Sequence, residues 1–531
     1  MDTYIKKVKW YFGGIVIVVI TLAVTIGLFI TQSPYLKESF IVRAWKIVTY
    51  RIALTDGYSL RARATSLIGL DSPQSYTKGG YAESIPVIVY HGLPNIDDGS
   101  EVNISANTFK DQMFALKKHG YTTVTTNELF SFLRGDIALP EKSVMISFDD
   151  GRVSSFDTAD PILTAADFKA VMFAITRFPQ DSEGRNNYYL SMNELKQMEK
   201  SSTWDIQSHS YDGHGSTYPL SPTEKSGHFF GFKQWLIDEN RLETDGEFEA
   251  RIQNDLQLAK NGLEKDINKQ VTGFAVPYGD YGQNETNFSG TAESVLRIAK
   301  DYYNLFFFQN APGHRFTQNY FLDKDKGNDF FLVKRINANS LSGAELIASL
   351  ERSSPKPLPF TDTFTKDSGW IVTWGDVAIN NNSLQISALP NESGATVILD
   401  GTRLWKSYSV TSTVNSPAKS GVYLWLRFQD DNNNIACNFS NGFIHIEQTV
   451  NGIKKVTQGS RDTAITIPAG DFKVQGSIND RTITCTLNNE RTVTDNFADK
   501  SLTTGGIGFK TWSEVRSTAK LIIKDLSVTG L

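Results

Sequence analysis

The stretch SVMISFDDG, residues 143–151, carries the clearest indication of how this chain folds. Its apolar part, residues 144–148, is a short run of the kind that forms a strand buried on both faces of a parallel sheet. Asp149 and Asp150 follow at the point where that strand would end. Because parallel barrels gather their functional groups where strands end and loops begin, these two carboxylates are candidate functional residues.

Similar runs recur on both sides of this stretch and alternate with helical patterns. One such pattern, residues 248–267, carries a single apolar stripe at helical spacing. Strands that alternate with helices predict a parallel sheet, and seven to eight units predict an α/β fold of the (β/α)-barrel type. The runs lie at residues 87–90, 122–125, 144–148, 170–175, 204–208, 272–276, 305–308 and 330–336.

The chain is too long for one ordinary core, so its 531 residues predict two or more domains. The barrel domain is assigned to residues 85–352, and the Pro-rich segment 353–360 reads as a linker. Residues 361–531 alternate in short strands between Asn, Gly and Asp turns, which predicts an all-β sandwich. The net charge of −5 and the absence of a Lys/Arg cluster argue against a nucleic-acid partner.

The N-terminus carries an uncharged apolar stretch, residues 11–31, which is about as long as a bilayer-spanning helix requires. A cleaved signal peptide is the alternative, but no A-x-A pattern follows the stretch. We therefore expect a cytoplasmic tail at 1–10, a transmembrane anchor at 11–31 and a juxtamembrane stalk at 32–84. This arrangement predicts a single-pass cell-membrane protein with the bulk of the chain, including the barrel domain, on the extracytoplasmic side.

The chain has two cysteines, Cys437 and Cys485, each within a strand-like alternation in the C-terminal third. A disulfide and a pair of buried thiols both fit this pattern. Two cysteines alone are too few to suggest a zinc site.

Two of the seven histidines, His209 and His214, stand five positions apart after the strand-like run 204–208. One carboxylate and two imidazoles can hold a zinc-like ion and leave positions open for water. Asp150 with both histidines could supply this set, and Asp149 would then serve as a base. For FDDG alone a simple turn is an adequate explanation, since Asp and Gly favour turns.

The motifs SFDDG, SHSYDGH and FAVPYGDYG, in this order, resemble polysaccharide deacetylases of the NodB-homology type, carbohydrate esterase family 4. The resemblance implies that Asp149 is the general base and that Asp150, His209 and His214 bind a divalent metal, zinc or another first-row ion. It also implies that the backbone N–H of Tyr278 stabilises the oxyanion. The five-residue step between the histidines resembles the branch that deacetylates poly-β-1,6-N-acetylglucosamine.

Two departures from the family pattern affect the catalytic assignment. Ala275 stands where many relatives carry an Arg that orients the base, and no leucine-x-histidine motif for the general acid occurs between 315 and 352. His91, at the exit of the run 87–90, is therefore the candidate acid, with a structural role at the barrel rim as its alternative. His314 is the reserve candidate, and His119, His228 and His445 have no catalytic context.

The C-terminal module contains the segments DTFTKDSGWIVTWG, YLWLRFQDDNNN and GGIGF. In these segments it resembles concanavalin-like or laminin-G-like sandwiches that accompany carbohydrate enzymes, so it is a candidate carbohydrate-binding module. Its tryptophans could stack on sugar rings, although most tryptophans in sandwiches belong to the core. The candidates are Trp370, Trp374, Trp405, Trp425 and Trp512.

These expectations combine into a metal-dependent hydrolase that removes acetate from an N-acetylglucosamine-containing surface polysaccharide or exopolysaccharide. The expected partners are this polysaccharide and the membrane. Peptidoglycan or chitin is the alternative substrate. The alternative outside catalysis is a surface protein that binds polysaccharide through an inactive barrel.

Overall fold

The computed structural model describes residues 40–54, 80–94, 100, 102–180, 188–215, 218–223, 226–309, 316–417, 419–456, 465–468, 470–497 and 501–531. Short 3₁₀ turns lie at Pro277–Gly279 and Asp323–Asp325. Within these residues the α-helices are α1 Phe40–Leu54, α2 Ala106–Lys118, α3 Thr126–Arg134, α4 Val153–Ala166, α5 Arg177–Gln180, α6 Met192–Lys200, α7 Asp245–Ile267, α8 Thr291–Lys300 and α9 Gly343–Ser353.

A parallel sheet forms the first domain, and we number its strands along the chain. They are β1 Val87–Tyr90, β2 Thr122–Thr123, β3 Ser143–Phe148, β4 Ala170–Ala174, β5 Trp204–Ser208, β6 Gly273–Ala275, β7 Leu305–Phe308, β8 Phe331–Lys334 and β9 Ile336–Asn337. The order across the sheet is β8-β7-β6-β5-β4-β3-β1-β9, with β2 beside β3. This sheet and its helices confirm the predicted (β/α) architecture.

The two ends of the sheet belong to one continuous piece of chain. β8 pairs with β7 at one end, and β9 pairs with β1 at the other. Only Arg335 separates β8 from β9. The pairing therefore runs round a ring, and Arg335 lies where the ring closes.

Both faces of the strands are buried, which explains their nearly continuous apolar sequences. Ile146 and Phe148 of β3 pack in the outer core with the helices, whereas Met145 belongs to the inner core with Phe173 and Phe307. Helix α7 begins with a capping box in which Thr244 and Glu247 exchange hydrogen bonds. Its predicted apolar stripe contributes Phe248, Ile252, Leu256 and Leu263 to the outer core.

The C-terminal residues form two antiparallel sheets with a common core, as the predicted sandwich requires. The nine-stranded sheet contains Phe360–Asp362, Asp376–Asn380, Ser383–Ser387, Tyr408–Asn415, Asp471–Asn479, Thr482–Leu487, Arg491–Asn496, Lys520–Ile523 and Leu526–Gly530. The seven-stranded sheet contains Trp370–Trp374, Gly394–Leu399, Gly421–Asp430, Asn433–Ser440, Phe443–Val450, Ile453–Val456 and Gly506–Trp512.

Cys437 and Cys485 form a disulfide, one cysteine from each sheet, which resolves the choice between a disulfide and free thiols. Trp370 and Trp405 are buried in the sandwich core, so neither is available to stack on a sugar. Trp512 is exposed.

The sandwich contacts the barrel at the end where the strands begin. A cavity between the domains is lined by Glu83 and Glu141, which precede strands, and by Lys356 and Trp405. Phe316 packs against Ile398 and Phe428 of the sandwich. Since catalytic groups of such barrels lie at the carboxyl ends of the strands, this contact leaves the opposite end of the barrel for the site.

Helix α1 lies within the predicted stalk and packs against α4 of the barrel. Small antiparallel strand pairs also occur, at Ser84–Ile85 with Asn319–Tyr320, Tyr218–Pro219 with Ser226–Gly227, and Trp235–Leu236 with Arg241–Leu242. In the part of the chain that the structure describes, no helix has the length and apolar character needed to span a membrane. The predicted anchor at 11–31 lies outside the described residues.

Candidate active site at the carboxyl ends of the strands

The predicted site residues follow neighbouring strands and meet at one end of the barrel. His91 follows β1, Asp149 and Asp150 follow β3, and His209 follows β5. Backbone bonds keep these strand exits in register, since Asp149 N–H donates to the carbonyl of Tyr90 at 3.0 Å. Sequence-distant groups are thereby brought into contact.

Asp150, His209 and His214 form a cluster that fits a metal ion. One potential ligand atom from each lies within 4.8 Å of the other two. Asp150 Oδ1 is 3.2 Å from His214 Nε2 and 3.5 Å from His209 Nε2. This oxygen is buried and has no hydrogen-bond partner among the described residues, an unusual condition that a cation would relieve.

The surroundings orient these ligands toward a common point. His209 Nδ1–H donates to the carbonyl of Ala275 at 2.7 Å, which leaves Nε2 as the nitrogen that could bind a metal. Arg152 holds the second oxygen of Asp150, Oδ2, at 2.7 Å from its Nε. Burial raises the pKa of Asp150, but the neighbouring imidazoles of His209 and His214 outweigh this effect and hold the pKa well below its ordinary value. The Asp150 carboxylate is thus ionised.

A buried carboxylate shapes the loop between the two histidines. Asp255 of α7 accepts the backbone N–H groups of Tyr211, Asp212 and Gly213 at 3.0, 2.8 and 2.9 Å. Burial raises the pKa of Asp255 to about 6. These three hydrogen bonds fix the conformation of the loop between His209 and His214, and so place His214 in the cluster.

Asp149, the predicted base, is paired with a fully buried arginine. Arg335 Nη1 donates to Asp149 Oδ1 at 2.6 Å, and the arginine side chain has no exposed surface. Burial raises the pKa of Asp149, whereas Arg335, His209 and His91 lower it, and the net direction is downward. Arg335 lies where the ring of strands closes. It therefore provides the guanidinium that is missing at position 275, where this chain has an alanine.

His91 faces the other oxygen of the same carboxylate. Its Nε2 lies 3.8 Å from Asp149 Oδ2, and its buried Nδ1 has no hydrogen-bond partner among the described residues. Burial lowers the pKa of His91, and Asp149 and Asp150 oppose this effect. This position is suited to passing a proton to a leaving group next to Asp149.

Tyr278 lies in the turn after β6 with φ of 61°, a strained conformation for a residue with a large side chain. The first hydrogen bond of this turn is made by the next residue, since Gly279 N–H donates to the carbonyl of Val276 at 3.1 Å. The Tyr278 ring is stacked between His214, at 4.8 Å, and His228, at 4.3 Å. Asp150, Tyr278 and Ser210, the residue after His209, have positive φ, and such strain concentrates at functional sites.

Several residues of the site were not predicted from the sequence. Arg335 interrupts the apolar run 330–336, and Asp255 interrupts the buried stripe of α7; each is a polar residue at a core position, and this signal could have revealed it. His228 gave no such signal, yet it contacts Tyr278 and bonds Asp280 Oδ2 through Nδ1 at 2.7 Å. His314, the reserve acid, lies outside the described residues.

Comparison with known proteins agrees with this geometry. Residues 136–288 match the family model of the polysaccharide deacetylases. A poly-beta-1,6-N-acetyl-D-glucosamine N-deacetylase of Staphylococcus aureus (strain MRSA252) is 28% identical over 211 residues, which cover 38% of this chain and 66% of that protein. The protein of the same name from Escherichia coli (strain K12) is 24% identical over 194 residues, which cover 34% of this chain and 28% of the length of that protein.

The chain thus spans slightly less than two thirds of the staphylococcal relative's length. A solved de-N-acetylase from Aggregatibacter actinomycetemcomitans is 21% identical and covers 50% of this chain and 99% of its own, with a TM-score of 0.41. The matched residues include Asp149, Asp150, His209, His214 and Tyr278. Residues 136–288, which lie within the barrel, thus match a polysaccharide deacetylase domain.

Proposed function

We propose that this protein hydrolyses the acetamide of N-acetylglucosamine units in a cell-surface or exopolysaccharide and releases acetate. The observation that carries the proposal is the pairing of Asp149 with Arg335 beside the cluster Asp150, His209 and His214. A carboxylate that can act as a base, next to three side chains that can bind a metal ion, is an arrangement that supports hydrolysis of an amide. The names of the relatives favour the β-1,6-linked polymer.

A divalent metal, zinc or another first-row ion, would be held by Asp150, His209 and His214. When bound, it would supply Lewis-acid activation of water and of the acetamide carbonyl. Asp149 takes the proton from the attacking water, and Arg335 keeps this carboxylate ionised and oriented. The N–H of Tyr278 donates to the developing oxyanion, and His91 protonates the departing glucosamine nitrogen.

The assignment is tested by measuring acetate release from β-1,6-linked N-acetylglucosamine oligomers. We expect Asp149→Asn to lose about 100-fold or more in kcat/KM, the usual contribution of a general base. Asp136→Asn, which changes an exposed carboxylate, is the control and should retain activity. Full activity of the Asp149→Asn variant would contradict the role of base.

The substrate and the metal need separate measurements. Acetate release from β-1,6 oligomers should exceed release from β-1,4 chitin or peptidoglycan fragments; the reverse order would favour the alternative substrates. Elemental analysis of the purified protein should find about one divalent ion, and His209→Ala should lose it. A protein that binds polysaccharide without metal or acetate release would support the non-catalytic alternative.

We further propose that residues 11–31 anchor the chain in the membrane with the barrel outside the cell. The support is the uncharged apolar sequence of this stretch. Flotation of the full-length protein with lipid vesicles, compared with a variant that lacks residues 1–31, tests the anchor.

A further inference from the structure

Helix α1 presents an apolar face to solvent. Among its residues 41–54, every exposed position is apolar, including the alanine at 53. Trp45 is 63% exposed, and Val42, Val48 and Ile52 are 45%, 36% and 45% exposed. Their spacing of three or four positions places these four side chains on one side of the helix, which we call the α1 apolar face.

The opposite side of α1 faces the barrel and contains charged residues. Arg43 Nε donates to Asp160 at 2.5 Å. Arg51 Nη2 lies 3.2 Å from an oxygen of Asp167. Tyr50 and Leu54 pack against the outer core on this same side. The helix therefore has apolar residues toward the barrel and also a tryptophan on its solvent side, where an ordinary surface helix carries polar residues.

The position of α1 in the chain limits what can cover this face. The helix begins at Phe40, and residues 32–39 connect it to the proposed anchor at 11–31. Eight fully extended residues span at most about 30 Å, so an anchored chain keeps α1 close to the bilayer surface. Tryptophan is enriched at membrane–water interfaces, and a helix with one apolar side lies in that plane with this side in the lipid.

We propose that the α1 apolar face lies in the interfacial region of a lipid bilayer and docks the barrel against the membrane. The proposal rests on the proposed anchor. The contact of α1 with the bilayer would fix the orientation of the barrel relative to the membrane, which a connecting segment alone would not do. The ion pairs of Arg43 and Arg51 transmit this orientation to α4, and hence to the barrel.

The test uses the full-length protein in vesicles of phosphatidylcholine and phosphatidylglycerol. A thiol-reactive, environment-sensitive fluorophore is attached to Trp45→Cys, and to Val48→Cys as a second position that keeps the tryptophan. Cys437 and Cys485 are joined in a disulfide and do not compete for the label. The control is Leu258→Cys on α7, whose side chain is 42% exposed, close to that of Val42.

Lipids that carry a quencher near the headgroup should reduce the fluorescence at positions 45 and 48 at least twofold and leave position 258 unchanged. A blue-shifted label at 45 and 48 without lipid quenching would mean that protein covers the face, and would overturn the proposal. Equal, weak quenching at all three positions would overturn it as well.

If the protein did not float with vesicles, the proposed anchor would be wrong, and this proposal would be wrong with it. Acetate release from soluble oligomers, measured on the same samples, reports the proposed activity separately. Trp45→Cys and Val48→Cys should leave that activity within about twofold of wild type, since both positions lie on the solvent side of α1 and outside the active site.

Discussion

Arg335 Nη1 and Asp149 Oδ1 lie 2.6 Å apart, although the two residues are 186 positions apart in the chain. The contact exists because Arg335 stands between the two strand segments that close the barrel. Neither side chain has appreciable exposure to water. The residue that closes the barrel is therefore also the one that holds the proposed base.

Arg335→Ala should reduce kcat/KM about 100-fold, because a general base contributes on this scale and would lose its orientation. The variant should also lose about 3–5 kcal/mol of unfolding free energy, since it leaves a buried carboxylate without its partner. Acetate release and thermal unfolding check the two effects. Arg335→Lys keeps the charge and should recover part of both; activity near wild type for Arg335→Ala would contradict the pairing.

Asp255→Asn should weaken metal binding about 10- to 100-fold, as loss of groups that orient metal ligands does. An amide can accept fewer of the three N–H groups of Tyr211, Asp212 and Gly213, so the loop before His214 should lose its fixed course. Titration of the metal-free protein with zinc measures the affinity. Gln257→Ala changes an exposed neighbour on α7 and should bind metal normally; an equal loss there would point to a general effect on the helix.

His228→Ala should lower kcat about tenfold with a smaller change in KM. The ring of His228 lies 4.3 Å from that of Tyr278, nearly parallel at 9°, and its removal would loosen the proposed oxyanion donor. His228→Phe keeps the ring and loses the bond to Asp280, so it should recover most of kcat. A rise in KM alone would assign His228 to substrate binding and contradict a positioning role.

Asp400 should make stability depend on pH. Burial raises its pKa from the ordinary 3.8 to about 6, although Thr317 and Gly401 donate hydrogen bonds to it. The folded state therefore binds this proton more tightly than the unfolded state, and the resulting stability, present below pH 3.8, is lost as the pH rises through about 6. The shift corresponds to about 3 kcal/mol.

The measurement is the unfolding free energy of the wild type and of Asp400→Asn between pH 4 and 8. The wild type should lose stability relative to the variant across this window. A difference between the two that stays constant with pH would show that Asp400 does not titrate there.

The disulfide between Cys437 and Cys485 should stabilise the sandwich. The two residues are 48 positions apart, and closure of a loop of that length is worth about 4 kcal/mol. The double variant Cys437→Ala/Cys485→Ala should therefore show a lower unfolding temperature by calorimetry. Acetate release should be unchanged, because the site belongs to the barrel; a parallel loss of activity would mean that the domains depend on each other.

The sequence by itself determined the strand–helix alternation, the β-sandwich and the cluster of Asp149, Asp150, His209 and His214. These features are local, since each motif adjoins a strand whose apolar pattern is visible in the chain. The carboxyl ends of adjacent parallel strands lie side by side, so the motifs could be placed together without coordinates. His91 followed from its place at a strand exit together with the resemblance to the exopolysaccharide branch.

Only the tertiary structure decided which groups support those residues. Arg335, Asp255 and His228 occur in no motif with the residues they contact, and their partners lie 186, 42 and 50 positions away along the chain. Such contacts depend on ring closure, on helix packing and on the course of a loop. Because these are set by the summed packing of the whole domain, no local pattern determines them.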